Sequence, residues 1–391
     1  MDKSLTIIGG GIMGLSAAYA ALRAGWRVQV LDRAQVPTQA SWAGAGLLTA
    51  AHPRRASHPL DRLCGQSNEL YERWSHDLLM ETGIDNEYRR CGGYHVARSR
   101  GDLAALAGSL LEWHDNGVEA RWAEPDELTQ TFGAGFDPLG RVLRAVYVPD
   151  ERQVRNPRHL RALRQAIDLR GGQLAQLSEG AHLIRRGNRL AVIAPGQKPI
   201  EPDHLCLCAG AWTQRMLEPC GIHLPVAPVR GQMLLYRLER LLAERILYDG
   251  NRYIVPRQDG HVLVGATVEE VGFDCSTTVE EIQRLQQFAV ELHGSLSPDR
   301  MVRSWAGLRP ASFDGLPYLG RLSGIENCVV ATALFRHGLQ LAPVFAELVV
   351  SLFNGKPLTD SLELFSPQRA LNEFSNLAVE LQPKRDPGAN R

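Results

Sequence analysis

The run Ile7-Ile8-Gly9-Gly10-Gly11-Ile12-Met13-Gly14 carries three glycines at the spacing G-x-G-x-x-G, at Gly9, Gly11 and Gly14. It follows a single apolar strand and leads directly into a helix, the context in which this spacing forms a dinucleotide-binding turn. Gly9 permits the tight turn, Gly11 lets the backbone approach a pyrophosphate, and Gly14 lets the helix lie close to the strand. The helix N-terminus then offers free N–H groups and partial positive charge to the phosphates.

The remainder of that unit is present in order. Ile12, Leu15, Tyr19 and Leu22 form the apolar stripe of a helix and Gly25 stops it. Arg27–Leu31 read as a second strand with Val28 and Val30 alternating. Asp32 closes it, at the place where an acid takes the hydroxyls of an adenosine ribose. The motif specifies a dinucleotide and leaves FAD and NAD both open.

With 391 residues the chain can form two or three domain-sized units. Acidic and basic residues balance at 43 each, so no gross charge draws it to nucleic acid or to an anionic membrane, and a small-molecule partner is expected. The N-terminus leaves no room for a cleavable signal, and no apolar stretch approaches the ~20 residues of a spanning helix, so a soluble cytoplasmic protein is expected. The 7 cysteines are scattered; Cys206 and Cys208 alternate onto one face of an apolar strand and read as reduced core thiols. The 12 histidines show no zinc-binding spacing, and no metal is expected.

Further along, the pattern predicts helices around 60–82, 102–116 and 156–169, and hairpins around Gly187-Asn188 and Asp259-Gly260. Leu205–Ala209 is a buried strand leading into Gly210-Ala211-Trp212-Thr213, as if the nucleotide domain resumed. Residues 222–305 read as β-rich. A strand at Val329–Ala333, Gly338 and a helix from about Leu341 to Phe353 follow, and 385–391 reads as a frayed tail. The expected fold is α/β: a discontinuous Rossmann-like domain from 1–84, 142–221 and 306–391, with an inserted mixed-sheet, α+β substrate domain from 85–141 and 222–305.

Several separated motifs carry a resemblance. Ser41-Trp42-Ala43-Gly44-Ala45-Gly46-Leu47-Leu48 is similar to the second flavin-contacting loop of the D-amino-acid oxidase superfamily. Val229-Arg230-Gly231-Gln232-Met233, Tyr253-Ile254-Val255-Pro256-Arg257, Val264-Gly265-Ala266-Thr267, Gly307-Leu308-Arg309-Pro310, Asp314-Gly315-Leu316-Pro317 and Phe335-Arg336-His337-Gly338-Leu339 follow in the family's order. The series resembles the glycine oxidases of thiazole (thiamine) biosynthesis over residues 4 to about 355. That resemblance implies noncovalent FAD, contacted by Gly9, Gly11, Ile12, Met13, Gly14, Asp32, Arg33, Ser41, Ala45, Gly46, Leu47, Gly210, Trp212, Arg336, His337, Gly338 and Leu339. It implies a small amine or amino-acid substrate, molecular oxygen as acceptor, and a homotetramer or dimer. Cys328 stands short of the position where related sarcosine oxidases tether flavin, so no tether is expected. One departure lies at Ala333-Leu334, where many relatives have Gly-His; it bears on substrate preference and oxygen reactivity.

Oxidation at Cα needs no nucleophile and no metal, because the flavin takes the hydride and the protein orients the substrate. Arg309 matches the family's carboxylate clamp, which suits a guanidinium able to make two parallel bonds to a carboxylate. Tyr253 shares a strand face with Val255 and Asn251; its phenol can donate to the same carboxylate while its ring walls the pocket. Arg336 matches a second arginine beside the flavin, and the helix after Gly338 points its positive end at the reduced ring. Val268 falls where relatives place a pocket-lining apolar residue. His337 as a base and Trp42 as a lid are outweighed by a satisfied histidine and a packed tryptophan. A dehydrogenase with a non-oxygen acceptor and a non-catalytic flavin-binding protein remain alternatives.

Overall fold

In the computed structural model the described residues are 3–33, 39–177, 180–194 and 198–370; the tail at 385–391 lies outside them. Two large sheets face each other across the future site. The first has six strands in the order Tyr318–Arg321, Cys328–Thr332, Leu205–Leu207, Ser4–Ile8, Arg27–Asp32, Gln173–Gln176. All neighbours are parallel except the first pair. Strands from three distant stretches thus lie side by side, which short local connections cannot achieve and crossover helices can.

The helices Ile12–Arg23, Pro59–Thr82, Asn156–Leu169 and Gly338–Phe353 cover one face of this sheet with a continuous apolar core that includes Ile7, Leu15, Leu163 and Phe345. On the other face the hairpin His182–Arg186 and Arg189–Ile193 packs Leu183, Leu190 and Val192 against Ile8, Leu31 and Leu207. The terminal strand Gln173–Gln176, next to Arg27–Asp32, was not foreseen; its residues are only partly buried and carry no run of branched side chains.

The second sheet has eight strands in the order Met301–Ala311, Ala227–Arg237, His261–Gly265, Arg252–Pro256, Ile246–Asp249, Gly93–Ala97, Arg144–Val148, Arg121–Trp122. It is antiparallel apart from the pairing of Ile246–Asp249 with Gly93–Ala97. Residues 222–305 hold a helix as well as strands. Val279–Leu292 places Leu285, Phe288, Ala289 and Leu292 at helical spacing against the sheet, and that stripe outweighs the strand-rich surroundings. The strand Met301–Ala311 runs through the position 305/306 at which the two domains were divided.

Gly14 shows why the first turn needs its third glycine. A Cβ there would lie 1.8 Å from the carbonyl oxygen of Gly9 and 3.2 Å from Ile7 Cγ2, so helix and strand touch backbone to side chain. Beneath the helices, His159 is fully buried, and Asn86 Nδ2 donates to its Nδ1 over 3.0 Å, which fixes the neutral ring. Burial pushes its pKa down to about 4. The unfolded chain therefore binds a proton near pH 6.5 that the folded chain refuses until about pH 4. Stability is expected to fall by up to roughly 1.4 kcal/mol per pH unit from this group between those values, and to gain nothing further from it above pH 7. Urea midpoints at pH 7 and pH 5 should differ less for His159→Gln than for wild type; equal differences would mean that another group carries the acid sensitivity.

Candidate functional site

One cavity of about 640 Å³ runs between the two sheets and is lined at one end by Gly9, Asp32, Arg33 and Trp212, at the other by Tyr253, Arg309 and Arg336. This volume suits a cofactor or a ligand of similar bulk. Every residue expected to touch FAD lines it except Gly14, which lies behind the turn in the helix–strand contact. Gly14 is therefore corrected from a contact residue to one that shapes the turn.

At the nucleotide end, Gly9 adopts φ 108, and a Cβ there would stand 2.3 Å from the Cys208 carbonyl. The N–H of Gly10 donates to Asp32 Oδ2 over 2.5 Å, tying the turn to the acid that ends the second strand. The first helix has no acidic residue in its first turn and no side-chain bond from Gly11, so its positive end faces the cavity. Ile12 N donates to Ser41 Oγ over 2.9 Å. Arg33 stacks over the Trp212 ring at 4.1 Å, and Trp212 in turn meets Phe273 at 5.5 Å, forming the wall beyond Asp32.

The loop Ser41–Leu47 crosses the middle of the cavity, and residues from both sheets' surroundings hold it. Asn156 Nδ2 donates to the carbonyls of Ser41 and Gly44, both at 3.0 Å. Arg257 Nη2 donates to the carbonyl of Ala45 over 2.7 Å, and Trp305 Nε1 to that of Ala43 over 2.9 Å. Burial brings the Arg257 pKa down to about 10. Gly46 has φ 76, and a Cβ there would strike the Val154 carbonyl at 1.9 Å. Asn156 and Arg257 were missed as site residues; a polar residue opening a helix and an Arg closing a strand motif were the only signals.

The floor of the other end is a single register row across the eight-stranded sheet. His95 pairs with Tyr248, Tyr248 with Tyr253, Tyr253 with Gly265, Gly265 with Met233, and Met233 with Trp305. Arg309 leaves the strand of Trp305 two pairs of residues further on and reaches over Gly231. A Cβ at Gly231 would lie 2.3 Å from both terminal nitrogens of Arg309, so the glycine makes room for the guanidinium. Arg309 Nη1 donates to the Thr267 carbonyl over 3.0 Å. Burial lowers the pKa of Arg309, and the Tyr253 phenol beside it opposes that fall.

The Tyr253 hydroxyl donates to Met233 Sδ at 3.5 Å, and burial raises its pKa while Arg309 and Arg336 pull it down. Arg336 Nη1 donates to Asn251 Oδ1 over 3.0 Å, which brings together two residues 85 positions apart. Beyond Tyr253, His95 stacks on Tyr248 at 4.3 Å, and the Tyr248 hydroxyl donates to the buried Glu151 Oε2 over 2.8 Å. Neither His95 nor Tyr248 was singled out from the sequence.

One expectation fails here. Val268 is 49% exposed and does not line the cavity, because regular pairing ends at Gly265 and resumes one residue out of step at the bridge between Arg230 and Glu269. Trp42 is a packed tryptophan, as the sequence favours: it meets Trp305 edge-on at 5.3 Å. His337 lies in the cavity wall with Nδ1 3.9 Å from Cys64 Sγ, and burial lowers its pKa. At the departure Ala333-Leu334 the backbone gives no reason for alanine: Ala333 holds φ 57 and Phe335 φ 44, the left-handed region that glycine enters more freely. Cys328 is buried in its strand, away from the cavity. Cys206 and Cys208 do share a face, with their sulfurs 3.5 Å apart. Among the described residues there is no cluster that could hold a metal ion, and no helix is long and apolar enough to cross a membrane.

A mainly parallel sheet with a dinucleotide-binding turn, a mainly antiparallel sheet and one cavity lined from both are the features of an FAD-dependent oxidoreductase. The chain belongs to the DAO family of FAD dependent oxidoreductases, which it matches over residues 4–352. It is 35% identical over 366 residues to glycine oxidase of Pseudomonas aeruginosa, covering 92% of this chain and 97% of that protein. It is 32% identical to the bifunctional protein ThiO/ThiG of Trichormus variabilis, covering 89% of this chain and 52% of that one. The crystal structure of glycine oxidase from Geobacillus kaustophilus superposes with a TM-score of 0.84 at 26% identity, covering 93% of this chain and 97% of that chain. FAD suits the cavity observed: backbone cradles a Cβ would fill at Gly9 and Gly46, an acid at the strand end, and helix N-termini at two points along it.

Gly231→Ala is expected to displace the Arg309 guanidinium and to weaken binding of a small carboxylate such as glycolate by about tenfold while FAD is retained, read by spectral titration. Unchanged affinity would show that Arg309 does not need the space over Gly231.

Proposed function

We propose that the chain oxidises glycine and other small amines, such as sarcosine and small D-amino acids, to the imine, which water hydrolyses to the 2-oxo acid and ammonia, or methylamine in the case of sarcosine, with molecular oxygen as acceptor and hydrogen peroxide as product. The observation that carries this reading is the continuity of one cavity from the glycine turn to Tyr253, Arg309 and Arg336. Its similarity to glycine oxidases and to the fused ThiO/ThiG protein supports the reading, and supports a place in thiazole and thiamine biosynthesis.

When bound, FAD supplies the acceptor for the two electrons that leave the substrate as hydride from Cα. The protein's own task is to hold Cα at one distance and one rotation. Arg309 binds the substrate carboxylate through two N–H···O bonds, and the Tyr253 hydroxyl donates to the same group after leaving Met233 Sδ. Arg336, held by Asn251, brings a second positive charge to the same end of the cavity. The amine is then left facing the central part of the cavity, where the loop Ser41–Leu47 and the helix starting at Gly338 form the walls. The positive end of that helix favours added negative charge on the cofactor side. Met233 and the wall around Gly265 leave little depth for a side chain, which suits small substrates.

The purified protein is expected to be yellow, to be bleached anaerobically by glycine, and to release one peroxide per turnover in air. No bleaching by glycine, sarcosine or small D-amino acids would sink the reading; bleaching without peroxide would point to a dehydrogenase. Arg309→Met is expected to lower kcat/KM by about a hundredfold or more while retaining FAD, because two charge-assisted bonds are worth roughly 3 kcal/mol. Turnover equal to wild type would remove Arg309 from the clamp.

A further inference from the structure

Arg309 is held from behind. Its Nη1 donates to the carbonyls of Thr267, at 3.0 Å, and Arg230, at 3.4 Å. Both carbonyls belong to residues that converge on one side chain, Glu269. Thr267 Oγ1 donates to Glu269 Oε1 over 2.5 Å, and Arg230 Nη2 to Glu269 Oε2 over 2.7 Å. The main chains of Arg230 and Glu269 exchange N–H···O bonds of 2.8 and 3.0 Å. Gln232 closes the set, donating its Nε2 to both Glu269 oxygens and its N–H to Thr267 Oγ1. Arg230 Nη1 is taken by Asp274 over 2.6 Å.

None of Thr267, Arg230, Gln232 and Glu269 lines the cavity, so none is placed to meet a ligand. We infer that Glu269 is a positioning residue for the substrate clamp: its carboxylate fixes the two carbonyls that aim Arg309, and it does so without pairing with Arg309 itself. This inference rests on the reading of Arg309 as a carboxylate clamp.

The indirect arrangement has a physical purpose. A carboxylate in direct contact with Arg309 would orient it but would also occupy the donors and cancel the charge that the substrate needs. Here Arg230 takes up most of the Glu269 charge at short range. On its back side Arg309 donates to two neutral carbonyls, and the Glu269 charge acts on it only at longer range, which leaves N–H groups for a ligand in the cavity. The side chain of Arg230 is 4% exposed and that of Glu269 17%, so these bonds are shielded enough to hold geometry. The neutral amide in Glu269→Gln would turn an NH₂ group toward either Arg230 or Thr267, both of which are donors, and would loosen at least one of the two carbonyls.

The test uses the FAD-loaded enzyme and two readouts. Glycolate is titrated against the flavin absorbance, and glycine turnover is resolved into kcat and KM. For Glu269→Gln the glycolate Kd and the glycine KM are both expected to rise about tenfold with kcat within threefold of wild type, and Glu269→Asp should recover at least half of the loss on a logarithmic scale. Glycolate affinity within twofold of wild type, with only a lower Tm, would make Glu269 a structural residue and overturn the inference. Should Glu269→Gln not fold, Thr267→Val removes both bonds of the Thr267 hydroxyl, the one it gives to Glu269 and the one it accepts from the Gln232 N–H, and keeps the Glu269–Arg230 pair; at least a threefold rise in glycolate Kd is expected, and no change overturns the proposal. Failure of glycine to bleach the wild-type flavin would reject the proposed substrate, whereas the glycolate titration would still decide the role of Glu269.

Discussion

The loop Ser41–Leu47 is the joint on which both halves of the cavity depend. From the nucleotide side Ser41 Oγ meets the first turn of the first helix and Asn156 holds two loop carbonyls. From the antiparallel sheet Arg257 and Trp305 each hold another carbonyl, and a Cβ on Gly307 would stand 2.6 Å from Ala43 Cβ. The backbone of this loop is thus bonded on both sides, and its apolar side chains are left to pack. A binding surface made of two sheets keeps one shape only if something between them is held by both.

Charge is handled differently at the two ends of the cavity. The nucleotide end relies on backbone N–H groups and helix termini, which carry partial charge without a desolvation cost for a full ion. The other end, proposed to take the substrate, has two arginines and a part-buried phenol. Burial alone works against Arg309 and against ionisation of Tyr253, and each moderates the other. On the reading proposed above, an anionic group arriving between them would compensate the part-buried cation directly, so a carboxylate suits this floor.

The nucleotide half was legible because its signals are local. Three glycines, one helical stripe and one terminal acid lie within a single strand–helix–strand unit, and the steric reason for each glycine is visible in the backbone contacts at Gly9 and Gly14. Arg309, Tyr253 and Arg336 were reached only through family resemblance, since nothing in their immediate neighbours marks a clamp. Gly231 and Glu269 stayed hidden because their partners are set by strand register: the tip of Arg309 lies over Gly231 through the pairing of Ala227–Arg237 with Met301–Ala311. Val268 was misplaced for a related reason: between the pair Gly265–Met233 and the pair Glu269–Arg230 its strand holds one residue more than the partner, and Val268, in that irregular stretch, is left exposed. The helix Val279–Leu292 escaped notice because β-rich segments on both sides masked a stripe that is clear once the facing sheet is known.

A crystal structure of the FAD-loaded protein with glycolate bound decides whether the two ends of the cavity serve cofactor and carboxylate. The pyrophosphate is expected at the Gly9–Gly11 turn and the glycolate carboxylate within hydrogen-bonding distance of both Arg309 and Tyr253. A carboxylate bound elsewhere in the cavity, with Arg309 still turned only to the carbonyls of Thr267 and Arg230, would overturn the clamp.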